Sequence, residues 1–251
     1  SQLLSFIIIL KKVLKNNRVK KINKEYFLLK LIYFKNIFFQ SMPIIVSICG
    51  YSIAAAIIFT YVGQSGEYAT AGYGAGTRIE QVVLLPILGI NTAIISIIAQ
   101  NYGAKNFNRI KETYFTALKY AFIIMVTSGI IVFTSANIIT SFFSSDPEVI
   151  EYGKRYLKIS AFVLPAYPIF FLSNGFFMAI KKAENAMISN FFRNVMNPIL
   201  VFYIAKYISA SFNTFFWIWV GINWFFSISY FLIVIYYFKT RLEKSSAVVH
   251  P

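Results

Sequence analysis

The sequence predicts an all-α polytopic membrane protein with six transmembrane helices, and three observations predict it. Of its 251 residues 58% are hydrophobic, 19% aromatic and only 13% charged, where a soluble domain averages about 25% charged. Too little polar surface remains to wrap a core of this size in water. Second, mean hydropathy is +0.64 and the apolar residues form long continuous runs without alternation, which favours helices that cross about 30 Å of hydrocarbon over strands. Third, 24 Lys and Arg stand against 9 Asp and Glu, and the basic residues gather in short gaps between the apolar runs, the pattern of cytoplasmic membrane loops. In a soluble chain that excess would point to nucleic acid; in these gaps no nucleic-acid partner is expected.

Ser1–Leu10 is apolar but shorter than the roughly 20 residues a spanning helix needs. A basic run follows it where a signal peptide would have one in front, and no initiator Met is present. The segment therefore reads as the end of a preceding transmembrane helix, and the chain as part of a longer polypeptide. Residues 11–36 form a basic loop. Tyr26, Phe27, Leu28, Leu31, Ile32 and Phe34 are interleaved with its lysines, so two readings stand: an interfacial helix on anionic lipid, or a plain topology determinant.

Residues 37–239 hold six runs long enough to span, approximately Ile37–Val62, Ala71–Ala99, Tyr114–Ile139, Tyr156–Ile180, Ala186–Tyr207 and Phe215–Phe238. Residues 240–251 are a tail. If the spans alternate, one side receives the nine basic residues of the loop together with Lys105, Arg109, Lys111, Lys181, Lys182, Lys239, Arg241 and Lys244. The other receives only Lys154, Arg155, Lys158 and Lys206. By the positive-inside rule the loop and the C-terminus face the cytoplasm. On the outer side Ser145-Asp146-Pro147-Glu148 reads as a helix start, with Ser145 and Glu148 at capping-box spacing and proline in the first turn.

Function in such a protein should show as polar or helix-breaking residues at depth. The second span is richest in them. Arg78 and Glu80 lie two apart, so they do not face each other on one helix; each needs a partner on another helix, a headgroup or a water-filled cavity. They either knit the bundle together or serve a transport cycle. Gln81 follows, Pro86 interrupts the helix, and Asn91 comes soon after. Gly72, Gly74 and Gly76 lack nucleotide-loop spacing and no strand precedes them; they read as small residues that let helices approach closely. In the fourth span Pro165 and Pro168, three apart, remove two helical donors and should kink or open the helix. Tyr167 and Asn174 are the polar groups aimed at the cavity such a break lines. Pro43 marks the start of the first span, with Ser47 and Tyr51 one and two turns on. The fifth holds Arg193, Asn194, Asn197 and Pro198, with Arg193 close enough to the cytoplasmic end to snorkel.

Catalytic patterns are lacking: no HExxH, nucleophile elbow or phosphate loop. The single cysteine is Cys49, the single histidine is His250 and the single aspartate is Asp146. No catalytic residue, metal site or enzymatic activity is expected.

Thr70–Glu112, TAGYGAGTRIEQVVLLPILGINTAIISIIAQNYGAKNFNRIKE, resembles the second C-lobe span of multidrug and toxic compound extrusion (MATE) transporters. The shared features are the Ala/Gly-rich start, the Arg78-x-Glu80 pair, Pro86, Gly89 and the Gln100-Asn101-Tyr102-Gly103-Ala104 exit. Phe142–Ile159 is similar to the family's Phe-x-x-Asp-Pro-Glu-Val loop, and Ser189-x-x-x-Arg193 with Pro198 to the start of its fifth C-lobe helix. The resemblance implies one six-helix lobe of a twelve-helix, alternating-access antiporter, the N-terminal lobe belonging to the same polypeptide. It also implies a multi-pass protein of the plasma membrane, in a bacterium the inner membrane, in contact with membrane lipids. The implied activity is export of small amphipathic drugs, often organic cations, against H⁺ or Na⁺ as coupling ion, with no cofactor.

Two departures from the family pattern matter. The acidic coupling residue that many members carry in the first C-lobe helix is replaced here by Tyr51, and the fourth C-lobe helix lacks the accompanying aspartate. Coupling would then rest on Glu80 or on an N-lobe carboxylate outside this chain, and the N-lobe is favoured. Two other functions compete: a lipid-linked sugar flippase of the same superfamily, whose cavity would carry more charge than Arg78, Glu80, Lys119, Lys158 and Arg193 provide, and a non-transporting membrane scaffold.

Overall fold

The structure, a computed structural model, describes residues 6–8, 11, 34 and 49–242 and divides into two units, Ser1–Pro43 and Ile44–Pro251. In the first unit the described residues are helical. Pro43, Ser47, most of the basic loop and the tail beyond residue 242 lie outside the described residues.

The second unit is helical, with no strand among the described residues. Its elements are α1 (Cys49–Gly63), α2 (Glu67–Gly103), α3 (Phe107–Ser141), α4 (Pro147–Ser160), α5 (Ala166–Ala179), α6 (Ala183–Phe191), a π-turn over Phe192–Met196, α7 (Asn197–Tyr207) and α8 (Phe212–Tyr237). Three stretches are long and apolar enough to cross a membrane as single helices: Glu67–Gly103, Phe107–Ser141 and Phe212–Thr240. The fourth span joins the end of α4, from Tyr156, to α5, and the fifth joins α6 to α7, so among the described residues one span can hold more than one helix.

Each break has a local cause. Pro165 precedes α5 and Pro168 lies in its first turn, where backbone donors have no intrahelical partner and proline costs nothing. The prolines therefore start a helix and end the one before it. Residues 161–165 bridge the two by short-range bonds, such as Val163 N to Ser160 O at 2.9 Å and Ala166 N to Val163 O at 2.9 Å. The exposed carbonyl of Phe162 is met from α8 by Trp224 Nε1 at 2.8 Å. In the fifth span Pro198 sits at the start of α7. Its ring crowds the carbonyl four residues back, and the turn before it widens into the π-turn, closed by Asn197 N donating to Phe192 O. Pro86 behaves differently: α2 runs continuously through it. The expected interruption is absent because one missing donor is tolerated in a 37-residue helix packed against α3, α4 and α5.

Helix ends follow from sequence in the same way. Asn106 caps α3 by accepting from Arg109 N at 3.2 Å, and Ser211 caps α8 through Thr214 N. At α4 the cap is Asp146, whose Oδ1 accepts from Glu148 N at 2.9 Å. This corrects the capping box expected at Ser145, since the aspartate one residue later is the nearer acceptor. Lys105, Lys181 and Ser209 take left-handed φ of 56°, 61° and 50° at three helix exits. The next residue in each case donates five residues back: Asn106 N to Asn101 O, Lys182 N to Phe177 O, Ala210 N to Ala205 O, the Schellman arrangement without glycine.

The core lies around α5, whose Phe170, Leu172, Phe176 and Phe177 are fully buried against α2, α3 and α8. Large apolar side chains also stand exposed on the outer faces, among them Val82, Leu85, Ile130, Ile131, Phe225 and Leu232. Apolar side chains on both the inner and outer faces suit a helix bundle solvated by lipid.

Candidate functional site

A cavity of about 330 Å³ opens among α1, α2, α4, α5, the end of α6, the π-turn, the start of α7 and α8. Its acidic pole is Glu80, half-buried on α2. Tyr156 of α4 and Tyr167 of α5 both donate their phenolic O–H to this carboxylate, one to Oε2 and the other to Oε1. Each oxygen thus has a donor at a depth where lipid offers none. Tyr73, two turns before Glu80, packs edge-on against Tyr156 with ring centroids 5.0 Å apart and stacks on Phe216 at 5.4 Å.

The break between α4 and α5 brings the two phenols together. Tyr156 lies at the end of α4 and Tyr167 at the start of α5, and the turn between them lets both aim at one side chain of α2. The π-turn supplies the basic pole. Arg193 places its guanidinium carbon 4.9, 4.4 and 4.9 Å from the ring centroids of Tyr167, Phe170 and Phe171, cation–π contacts worth about 0.5–2 kcal/mol each. Tyr167 therefore separates the poles, its hydroxyl on Glu80 and its ring against Arg193. Asn190 and Asn194 line the cavity next to Arg193, and Asn190 Oδ1 accepts from Asn174 Nδ2 at 2.8 Å.

Of the residues expected from sequence, Glu80, Tyr51, Gln81, Tyr167, Asn194 and Pro198 line this cavity. Arg78 does not: it is exposed on α2, because two residues turn an α-helix by about 200° away from Glu80. Asn91 lies on the same face as Glu80, but eleven residues on, about 16 Å along the axis, where its Oδ1 abuts Gly175. Asn174 is buried behind Asn190 and acts on the cavity through it. Arg193 is half-buried on the three rings, not extended along the helix toward the membrane surface, which corrects the snorkelling reading.

Sequence reasoning missed Tyr73, Tyr156, Asn190 and the wall formed by Phe216 and Trp219. A helical signal existed for part of this set, since Tyr73, Thr77, Glu80 and Leu84 follow one face of α2. Nothing local marked Tyr156, whose role depends on the break five residues later. Among the described residues no group of three or more His, Cys, Asp or Glu is placed to hold a metal ion.

The MatE family model matches residues 43–203. The FAD transporter of Shewanella oneidensis is 31% identical over 107 residues, covering 43% of this chain and 24% of that protein. The probable multidrug resistance protein YpnP of Bacillus subtilis is 26% identical over 164 residues, covering 65% of this chain and 34% of that one. Among solved structures, a MATE in the straight conformation superposes with a TM-score of 0.80 at 20% identity, over 97% of this chain and 55% of that one. An inward-facing multidrug resistance MATE family transporter of the MOP superfamily gives 0.79 at 20% identity, over 91% and 53%. The chain thus spans about half the length of these structures, and its alignments cover a quarter to a third of the two curated relatives.

Proposed function

The chain belongs to the MatE family, and from that premise we propose that it forms the C-terminal six-helix half of a secondary active exporter of small amphipathic compounds, often cationic. An N-terminal lobe in the same polypeptide completes the transporter, and inward H⁺ or Na⁺ drives it. The exporter resides in the plasma membrane of a bacterium, with the basic loop and the C-terminus in the cytoplasm, as the distribution of Lys and Arg supports. Multidrug proteins among the relatives support the substrate class.

One observation carries the reading: a carboxylate held by two phenols inside a cavity at membrane depth. Protonation of Glu80, or its capture of a cation, would take an acceptor from one of the phenols. That would loosen the junction between α2, α4 and α5 and shift the balance between inward- and outward-open states. The main coupling carboxylate is assigned to the N-terminal lobe, with Glu80 as the candidate within this chain. Aromatic walls at Tyr73, Phe171, Phe216 and Trp219 suit flat amphipathic compounds.

The test is ethidium efflux from cells producing the native polypeptide that contains this chain, compared with cells lacking it. Efflux that collapses with the ion gradient is expected, and Glu80→Gln should slow it several-fold. Equal ethidium retention in both strains overturns the export reading. Normal efflux and an unchanged pH profile in Glu80→Gln would leave Glu80 a purely structural residue.

A further inference from the structure

We propose that Arg193, with Asn190 beside it, docks a carboxylate carried by the transported compound, so that the cavity prefers zwitterionic aromatic amphiphiles to their purely cationic counterparts. This inference rests on the export reading above. An arginine at membrane depth ordinarily pairs with a carboxylate. Glu80 lines the same cavity, but both of its oxygens are held by Tyr156 and Tyr167. The side-chain ion pairs resolved among the described residues lie elsewhere: Arg109 with Glu112 at 2.8 Å, and Glu151 with Lys154 at 2.8 Å and Arg155 at 3.0 Å.

What Arg193 meets directly is the ring set Tyr167, Phe170 and Phe171, with the Tyr167 hydroxyl as a hydrogen-bond partner and the Glu80 charge beyond it. Rings hold the cation in place but offer no carboxylate to its fork of N–H donors, a fork whose geometry matches a carboxylate in two parallel bonds. Asn190 adds to the same corner. Its Oδ1 accepts from Asn174 Nδ2 at 2.8 Å, which leaves its own amide N–H groups as donors on a side chain that lines the cavity. Donors therefore converge at one end and an acceptor stands at the other, with the Tyr167 ring between and Trp219 and Phe216 along the wall. A flat compound with a carboxylate at one end and an amine at the other satisfies both poles.

The test uses rhodamine 110, a zwitterion, and rhodamine 123, its methyl ester, which differs by masking the carboxylate. Binding of each dye to the native polypeptide in lipid nanodiscs is read by fluorescence anisotropy. The wild-type protein should hold rhodamine 110 about tenfold more tightly, the size of a charge-assisted hydrogen-bond pair. Arg193→Gln should erase the preference, weakening rhodamine 110 about tenfold more than rhodamine 123. Arg193→Lys, which keeps the charge but not the fork, should fall between. If Arg193→Gln does not survive purification, the wild-type ratio and Arg193→Lys still decide. Equal affinity of the wild type for both dyes, or an equal loss of both in Arg193→Gln, overturns the proposal. Failure of the wild type to bind either dye overturns the proposal, while the ethidium experiment decides the export reading separately.

Discussion

Gly72 of α2 and Gly153 of α4 meet backbone to backbone: a Cβ on Gly72 would stand 2.7 Å from Gly153 N and 2.7 Å from Val149 O. The absence of side chains on both lets the two helices close on each other and brings Tyr156, one turn along α4, within reach of Glu80. Gly74, by contrast, has nothing within 4 Å of where its Cβ would be.

These two glycines should respond oppositely to substitution. Gly72→Ala forces backbone apart and should cost about 1–3 kcal/mol, the usual range for overpacking. Gly74→Ala should be neutral or stabilising by up to about 1 kcal/mol from helix propensity. Thermal unfolding of the two variants in detergent checks the ranking, and equal midpoints would contradict the close approach.

The phenol contacts to Glu80 should be energetically coupled. Tyr167→Phe keeps a ring for Arg193 but removes one donor from the carboxylate, with an expected loss of about 1.5–3 kcal/mol for a bond to a charged group. In combination with Glu80→Gln the losses should fall short of additive by at least about 0.5 kcal/mol. A double-mutant cycle on thermal stability measures this, and strict additivity would separate the two side chains.

Pro165→Ala together with Pro168→Ala restores two backbone donors where α4 gives way to α5. The break between them should shorten, moving Tyr167 relative to Tyr156. Export should slow several-fold while the protein still inserts into the membrane, as read by efflux rate against membrane yield. Wild-type rates would remove the break from the mechanism.

One titration is accessible ahead of the fourth span. The Lys154 ammonium, and after it the Arg155 guanidinium, hold the Glu151 carboxyl below its ordinary range. A depressed value in the folded state means that this stabilisation is present above the unfolded carboxylate range and is lost as pH falls through the folded value. The pairs are largely exposed, so Glu151→Gln should cost no more than about 1 kcal/mol at neutral pH, less in high salt, and nothing in acid. Unfolding midpoints across pH and salt test the sign.

The passes and the chemistry of the second span were legible in the residues themselves. Continuous apolar runs located the helices, and a charged residue inside one, Glu80, marked the cavity because lipid tolerates no idle carboxylate. The glycine run was half-legible: Gly72 and Gly76 admit neighbours, while Gly74, between them, faces open space. Composite spans were harder. Pro165 and Pro168 announced a break, but that it would bring Tyr156 and Tyr167 to one carboxylate depends on how two helices meet after the chain turns. Arg193 was misread for a related reason. Its distance from the membrane surface suggested escape toward water, and only tertiary packing reveals three rings on the inner side.

The π-turn at Phe192–Met196 has a consequence for comparing this chain with its relatives. A π-turn contains one residue more than the α-turn it replaces, so it acts as an insertion absorbed within a helix. Removing one residue there would let the turn close as an ordinary α-turn with α7 on its present face, whereas rewinding the turn as α without a deletion would rotate the rest of the span by about 100°. A one-residue gap in an alignment at this point would therefore signal a change in how the helix is wound, with the side chains beyond it kept on the faces they have here.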